Sequence, residues 1–382
     1  MVTGLSLRTH ICELLEIEHP IVLAGMGGAS TPELAAAVSN AGGLGVLGAA
    51  TCGPAKLRAW IQQTRELTDK PFGVDTLLPA SVKRQQQLNE IGDFAGPATS
   101  DHLVFAKSFM QREELEPPTQ PAETEADNFA EDEGLALFSE PFFQAQMEVV
   151  IQERVPVYAA GLGNPGPWID RLKANNIKVL AVVGAVRHAI QVAGSGIDVV
   201  VAQGHDAGGH NSPVGTMALV PQVVDAMDGL PVLAAGGIAD GRGIAASLML
   251  GASGVWIGSA FLASYEAGIH DFQKQALVKA DEESTVISRS LTGKPCRVLR
   301  SKWTSAWESG GLEPLPMPYQ STVSDPVMAA AISARREDIY PGVAGQSIGM
   351  IKAVRPAADI VAELVEDTTK ALETNKSLLT AS

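Results

Sequence analysis

The chain has 382 residues, of which 46% are hydrophobic, and a formal net charge of −15 at pH 7. This composition is typical of a globular α/β protein with a sizeable core, and the acidic balance argues against nucleic-acid or anionic-membrane partners, which need clustered lysine and arginine. Its 3 cysteines form no CxxC pair, so neither a disulfide framework nor a zinc site is supported. No signal-peptide pattern or membrane-length apolar stretch is present, and we therefore expect a cytoplasmic protein.

Short apolar runs recur along the chain, and each ends in glycine, alanine or a polar residue before a helical pattern begins. They occupy residues 21–26, 44–49, 71–77, 155–161, 178–184, 198–204, 231–237 and 254–260. Because the runs are continuous rather than alternating, they predict strands buried on both faces of a parallel sheet. Eight successive strand–helix units predict a (β/α)8 TIM barrel spanning residues 1–269.

A long segment from about residue 80 to about residue 150 interrupts the repeat after the third run. Its middle, residues 112–134, is rich in Glu, Asp and Pro and poor in large apolar residues. This composition predicts a solvated, partly disordered insertion. Because the insertion leaves the carboxyl end of a strand, a lid over the barrel mouth is the functional alternative.

Residues 270–382 follow the eighth run and contain no further strand–helix repeat. The sequence predicts a helix near residues 271–283, a proline-rich connection at 314–320 and a closing helix near 357–372. We expect these segments to form a C-terminal helical extension packed against the barrel.

The fourth run ends in the sequence GLGNPG, in which Gly161, Gly163 and Gly166 have the spacing of a dinucleotide-binding fingerprint. Such a site needs free backbone N–H groups at a helix start and an acidic residue at the end of the next strand. Pro165 and Pro167 remove two of those donors, and the fifth run ends without an acid. The pattern therefore predicts a loop at the barrel mouth rather than a nicotinamide site.

Glycines also stand at the ends of the seventh and eighth runs, where many barrels of this class bind phosphate. Gly236 and Gly237 follow the seventh run, and Gly258 and Ser259 follow the eighth. Glycine lets backbone N–H groups approach a ligand closely, and a following helix adds a favourable dipole. Tight turns alone would also explain these glycines. A single phosphate held here would suit a mononucleotide such as FMN.

The loop after the sixth run combines glycines with histidines at the same end of the predicted barrel. It contains Gln203, His205, Asp206, Gly208, Gly209 and His210. Histidine transfers protons readily near neutral pH, and we predict that His210 is the catalytic residue, with His205 as the weaker candidate. A metal site formed by His205, Asp206 and His210 is an alternative, but the glycine pair has no role in such a site, so we expect none.

These stretches together resemble the nitronate monooxygenase family, also called 2-nitropropane dioxygenase-like flavoproteins. The resemblance is carried by AGMGGASTPELAAAVSNAGGLGVLG at 24–48, HDAGGH at 205–210, AAGGIADGRG at 234–243 and WIGSAFLAS at 256–264. It implies a barrel that binds FMN without a metal. It also implies that Gly25, Met26 and Asp75 lie along the isoalloxazine, with Gln203 and Gly209 near the ribityl chain and phosphate.

The same resemblance implies a reaction. His210, the last residue of the AGGH motif, would take the α-proton from a neutral nitroalkane or position an anionic nitronate. Oxidation with O2 would then yield a carbonyl compound and nitrite. We accordingly expect a small-molecule substrate and no nucleic-acid or membrane partner, and a homodimer is compatible with these features.

Two positions depart from the family pattern. Many members carry a histidine-containing segment after the fourth strand, whereas GLGNPG here is more similar to flavin-dependent enoyl-ACP reductases, which also keep AGGH. An NAD(P)H-dependent reductase of enoyl thioesters or quinones is therefore the alternative function, and a flavin-binding barrel without turnover is a third. Asp75 stands where the family commonly has Asn, so the polar edge of the flavin would be bound differently.

Overall fold

The computed structural model describes residues 7–78, 97–117, 135, 139–317, 319–340 and 342–376. Its strands are β1 Ile21–Leu23, β2 Gly45–Gly48, β3 Phe72–Leu77, β4 Val157–Leu162, β5 Lys178–Val183, β6 Val199–Gln203, β7 Gly209–His210, β8 Val232–Ala235, β9 Gly254–Ile257, β10 Thr285–Ser288 and β11 Cys296–Leu299. Eight of them pair in parallel in the order β1-β9-β8-β6-β5-β4-β3-β2. A parallel bridge between Val22 and Leu44 joins β1 to β2. The predicted TIM barrel is confirmed.

The helices are α1 His10–Leu15, α2 Pro32–Asn40, α3 Pro54–Leu67, α4 Pro97–Arg112, α5 Glu140–Gln152, α6 Ile169–Ala174, α7 Val186–Ala193, α8 Thr216–Ala226, α9 Gly241–Met249, α10 Ser259–Leu262, α11 Asp271–Lys279, α12 Lys302–Ser309, α13 Ser321–Ser333 and α14 Ala357–Lys376. Two 3-10 helices span Gly166–Trp168 and Gln346–Met350. Within the described ranges, no helix has the length and apolarity required to cross a bilayer.

The barrel strands are buried on both faces because they separate two apolar layers. Val46, Val199 and Trp256 belong to the cluster inside the barrel, together with Ile11 and Leu15 of α1, which closes its lower end. The alternate side chains on the same strands pack outward against the surrounding helices. This arrangement explains the continuous apolar runs in the sequence.

The outer ring of helices is completed from the far end of the chain. The helix that follows β9, α10, has only 4 residues. The C-terminal helix α14 packs against both α9 and α2 and so fills the gap between them. Gly241 at the start of α9 has the backbone of Thr368 directly above it, leaving no room for a Cβ atom. Part of the predicted extension therefore belongs to the barrel layer.

The predicted insertion contains two helices with different partners. Helix α5 packs on α3 and β3 and buries Met147 and Val150 in the main core, so it is the crossover helix that leads into β4. The interruption of the barrel therefore ends before α5 rather than at about residue 150. Helix α4 packs instead against α13 of the extension. Most of the acidic middle, predicted to be solvated or to form a lid, lies outside the described residues.

Helices α4, α12 and α13 form a second apolar core beside the barrel. Phe109 of α4 lies edge-on to Trp303 of α12, with ring centroids 5.0 Å apart, and Val323 and Val327 of α13 complete the cluster. Strands β10 and β11 form an antiparallel hairpin next to this core. Because β11 also pairs with the two-residue β7, the hairpin connects the extension to the loop that carries His210.

Candidate active site

A cavity of about 420 Å³ opens at the carboxyl ends of the barrel strands, a size within the range of small-molecule sites. His210, predicted as the catalytic residue, and all the residues predicted to bind the cofactor line this cavity: Gly25, Met26, Asp75, Gln203, Gly208, Gly209, His210, Gly236, Gly237, Gly258 and Ser259. Gly161 of the GLGNPG stretch also lines it, as expected for a loop at the barrel mouth. The roles assigned to these residues stay predictions.

One side of the cavity is formed by backbone rather than by long side chains. Gly208, Gly236 and Gly258 follow β6, β8 and β9, which are neighbours in the barrel. Gly236 has a φ of 102°, which L side chains rarely adopt, and a Cβ there would lie 2.7 Å from the Thr216 hydroxyl oxygen. Glycine at these strand ends keeps the backbone accessible to a bound group.

The backbone of His210 is held on two sides. His210 pairs with Cys296 of β11, and the side-chain amide of Gln203 donates a hydrogen bond of 3.0 Å to the His210 carbonyl oxygen. The imidazole Nε2 lies 2.8 Å from the hydroxyl oxygen of Thr292, in the turn between β10 and β11. These contacts fix the direction in which the imidazole points into the cavity.

Burial, assisted by the nearby Lys294 ammonium, lowers the pKa of His210 to about 4. The imidazole is therefore neutral at neutral pH and keeps a nitrogen lone pair that can accept a proton or hydrogen bond. The hydrogen bond with Thr292 determines which of the two nitrogens is left free, since the other is engaged by the hydroxyl. The side chain can thus act as a base or as an orienting partner for an anion.

The other histidine of the loop is held outside the cavity. His205 Nδ1 lies 3.0 Å from the carbonyl oxygen of Ser212, and the Asp206 carboxylate accepts a hydrogen bond of 2.7 Å from the Thr216 backbone N–H. Neither residue lines the cavity with His210. These two hydrogen bonds hold the shape of the loop.

Asp75 points into the barrel from β3, on the side opposite the glycine-rich strand ends. It is buried, and its Oδ1 atom has no hydrogen-bond partner in the described part of the protein. Gly25 and Gly161 flank it so closely that a Cβ at either position would collide with the carboxyl group. Burial raises the pKa of Asp75 well above its ordinary value, although the nearby Gly161 N–H favours the ionised form.

The donor set fits a flavin mononucleotide. The glycine backbone at the ends of β6, β8 and β9 offers N–H groups to a phosphate, and the unsatisfied Asp75 carboxyl offers hydrogen bonding at the opposite wall. The surface between them is largely apolar, as Leu77, Val182 and Trp256 show. This distribution of polar and apolar surface suits an elongated ligand. Such a ligand has a polar tail at one end and, at the other, a flat ring with a polar edge.

The extension supplies site residues that sequence analysis did not identify. Phe272, Tyr340 and Ser347 line the cavity from the C-terminal side, and Gly345 donates a backbone hydrogen bond of 2.8 Å to the hydroxyl oxygen of Ser259. Thr292 was also missed. The resemblance to the family continues weakly into TGKPCRVLR at 292–300 and AGQSIG at 344–349, and these two stretches were the signals in the sequence for this wall.

Comparison with known proteins decides the family. The model for nitronate monooxygenase matches residues 8–367, which is nearly the whole chain. The chain belongs to the nitronate monooxygenase family. The members of this family are flavin-dependent oxidoreductases, so the protein is an enzyme of that class.

Individual relatives match this family member over nearly its full length. A putative monooxygenase of Mycobacterium tuberculosis is 38% identical over 94% of this chain and 96% of its own. The structure of nitroalkane oxidase from Streptomyces ansochromogenes is similar with a TM-score of 0.78 and 30% identity, over 95% of this chain and 99% of that one. FabK from Thermotoga maritima gives a TM-score of 0.74 and 33% identity, over 97% and 99%.

Proposed function

We propose that the protein is an FMN-dependent nitronate monooxygenase that oxidises alkyl nitronates with O2 to carbonyl compounds and nitrite. The observation that carries the proposal is the position of His210, a neutral imidazole in the wall of the cavity that also contains the glycine-rich strand ends. Membership of the nitronate monooxygenase family and the similarity to a nitroalkane oxidase support the same substrate class.

The residues divide between holding the cofactor and holding the substrate. Backbone N–H groups at Gly236, Gly237, Gly258 and Ser259 would hold the phosphate, and Asp75 would meet the ring. FMN supplies the electron acceptor when bound there. Asp75 on β3 lies across the barrel from these strand ends, so it would meet the part of the flavin farthest from the phosphate, and His210 would act on the substrate in the same cavity.

His210 has two roles available, depending on the form in which the substrate arrives. Its lone pair can accept the α-proton of a neutral nitroalkane. An anionic nitronate beside the ring would favour the protonated imidazole, because an opposite charge raises the pKa of a histidine. The hydrogen bond with Thr292 would keep the ring in place in both states.

An anaerobic absorbance titration of the purified flavoprotein tests this function. We expect ethyl- or propyl-nitronate to bleach the oxidised flavin band without O2, and nitrite to appear when O2 is admitted. The His210→Asn variant should retain flavin and lose about 10²- to 10⁴-fold in the rate with neutral nitroalkane, the usual contribution of a general base. A flavin that no nitronate bleaches would exclude the proposed reaction.

A reductase is the second candidate, and one comparison favours it specifically. FabK, an enoyl-ACP reductase, is as similar to this chain as the nitroalkane oxidase is. The GLGNPG stretch at the end of β4 also favours a reductase, because it is more similar to the flavin-dependent enoyl-ACP reductases. Adding NADH or NADPH in the same anaerobic cuvette separates the two functions: rapid bleaching by a nicotinamide nucleotide, without bleaching by nitronates, would establish the reductase.

A further inference from the structure

Asp75 is a buried carboxyl group whose surroundings leave it without a charge partner. It faces the cavity between two glycines, and its Oδ1 atom has no hydrogen-bond partner within the described part of the chain. The adjacent strands β2 and β4 place Gly48 and Ala159 beside it. Neither of these residues can compensate a negative charge.

The rest of the described cavity wall offers no cationic side chain either, and the backbone N–H of Gly161 is the group there that favours the ionised form. Among the described residues that line it there is no lysine or arginine, and its other titratable side chains are His210, Glu337 and Tyr340. His210 is neutral at neutral pH, and Glu337 is paired with Lys279 at 2.8 Å. Tyr158 on β4 carries no positive charge in any form. Its phenol oxygen lies 3.0 Å from the hydroxyl oxygen of Thr76, and burial raises the pKa of the phenol above its ordinary value.

We propose that Asp75 serves the bound flavin as an uncharged carboxylic acid, which donates its O–H proton in a hydrogen bond to an acceptor on the polar edge of the isoalloxazine. The inference rests on the proposed flavin site and assigns the chemical form of one residue within it. A phosphate in the same cavity reinforces this form, because a carboxylate would add negative charge to a cavity whose described lining contains no lysine or arginine.

This form has a definite pH dependence. Burial raises the pKa of Asp75 in the folded protein well above its ordinary value, which favours the protonated acid, and the acid loses its proton as the pH rises through that raised pKa. Ionisation removes the donor and places a negative charge beside the ring. Flavin affinity should therefore fall on the alkaline side, and the reduction potential of the bound flavin should fall more steeply there than the proton uptake of flavin reduction alone requires.

The Asp75→Asn and Asp75→Ala variants test the assignment through flavin binding, independently of turnover. The amide is an uncharged donor of nearly the same shape, so D75N should bind FMN like the wild type at pH 7, with the same reduction potential. It should lose the alkaline fall in affinity and the additional fall in potential, and keep only the pH dependence that belongs to flavin reduction itself. D75A lacks the donor, so its affinity at pH 7 should be lower than that of the wild type by about two- to tenfold, the usual effect of one hydrogen bond, and it should show no alkaline fall.

A carboxylate at Asp75 would give the opposite pattern. D75N would then have a clearly higher flavin reduction potential than the wild type at pH 7, and the two pH profiles would run parallel; this outcome overturns the inference. It leaves the proposed function intact, because nitronates would still bleach the flavin.

The wild-type protein alone provides a second measurement if the variants fold poorly. The infrared difference spectrum between oxidised and reduced flavoprotein should contain a C=O band of a protonated carboxyl group that shifts in D2O. Absence of such a band would also overturn the inference.

Discussion

At the scale of single residues, the hydrogen bond between His210 and Thr292 is the contact that orients the predicted base. In Thr292→Val the shape of the side chain is kept and the hydroxyl is lost. We expect flavin binding to be unchanged and the rate of flavin reduction by a nitroalkane to fall by about two- to tenfold, the equivalent of one net hydrogen bond. Anaerobic stopped-flow absorbance measures this rate.

The matched control is Thr292→Ser, which restores the hydroxyl and should recover most of the rate. A purely structural role for the turn between β10 and β11 would reduce flavin binding and rate together in both variants. Equal rates in T292V and the wild type would show that the imidazole is oriented without this contact.

At the scale of elements, the second core predicts where the extension is most sensitive to mutation. Phe109 of α4 is buried at 1% exposure and contacts Trp303, whereas Leu103 on the same helix is 49% exposed. We expect Phe109→Ala to lower the free energy of unfolding by about 3–5 kcal/mol, through lost burial and the cavity left behind. Urea unfolding monitored by tryptophan fluorescence measures the change.

Leu103→Ala is the internal control for this helix, and its effect should stay within about 0.5 kcal/mol because the side chain is exposed. If the two variants were equally stable, α4 would not be anchored in the second core.

The barrel elements could be predicted from the sequence because each is encoded locally. A strand buried on both faces needs a predominantly apolar run, and each of the eight runs coincides with one barrel strand, with β4 extending one residue beyond its run. The site residues followed from the same pattern, since parallel strands bring their carboxyl ends to one mouth. Gly236 and Asp75 are distant in the sequence, yet both line one cavity.

The elements that were missed depend on contacts between distant segments. Strand β7 has 2 residues and exists only because β11 pairs with it. Thr292 reaches His210 through that pairing, and nothing in its neighbouring sequence indicates the contact. Helix α5 was assigned to the insertion because its acidic neighbours dominated the composition, although its own apolar face packs on β3 and α3.

At the scale of the whole molecule, the barrel and the extension build one cavity together. The barrel contributes the glycine-rich strand ends, and the extension contributes Phe272, Tyr340 and Ser347. A ligand in this cavity contacts both parts and binds the folded state alone, so it should stabilise both against unfolding. The expected gain is about 2.7 kcal/mol at a ligand concentration 100 times the dissociation constant.

The identity of the flavin can be tested through this linkage. The backbone N–H groups of Gly236, Gly237, Gly258 and Ser259 are predicted to bind phosphate. FMN should therefore raise the melting temperature of the flavin-free protein, as measured by differential scanning calorimetry. Riboflavin has the same ring without the phosphate and should give a much smaller rise at the same concentration. Equal shifts from the two ligands would mean that the strand ends do not hold a phosphate, and that the ring alone accounts for binding.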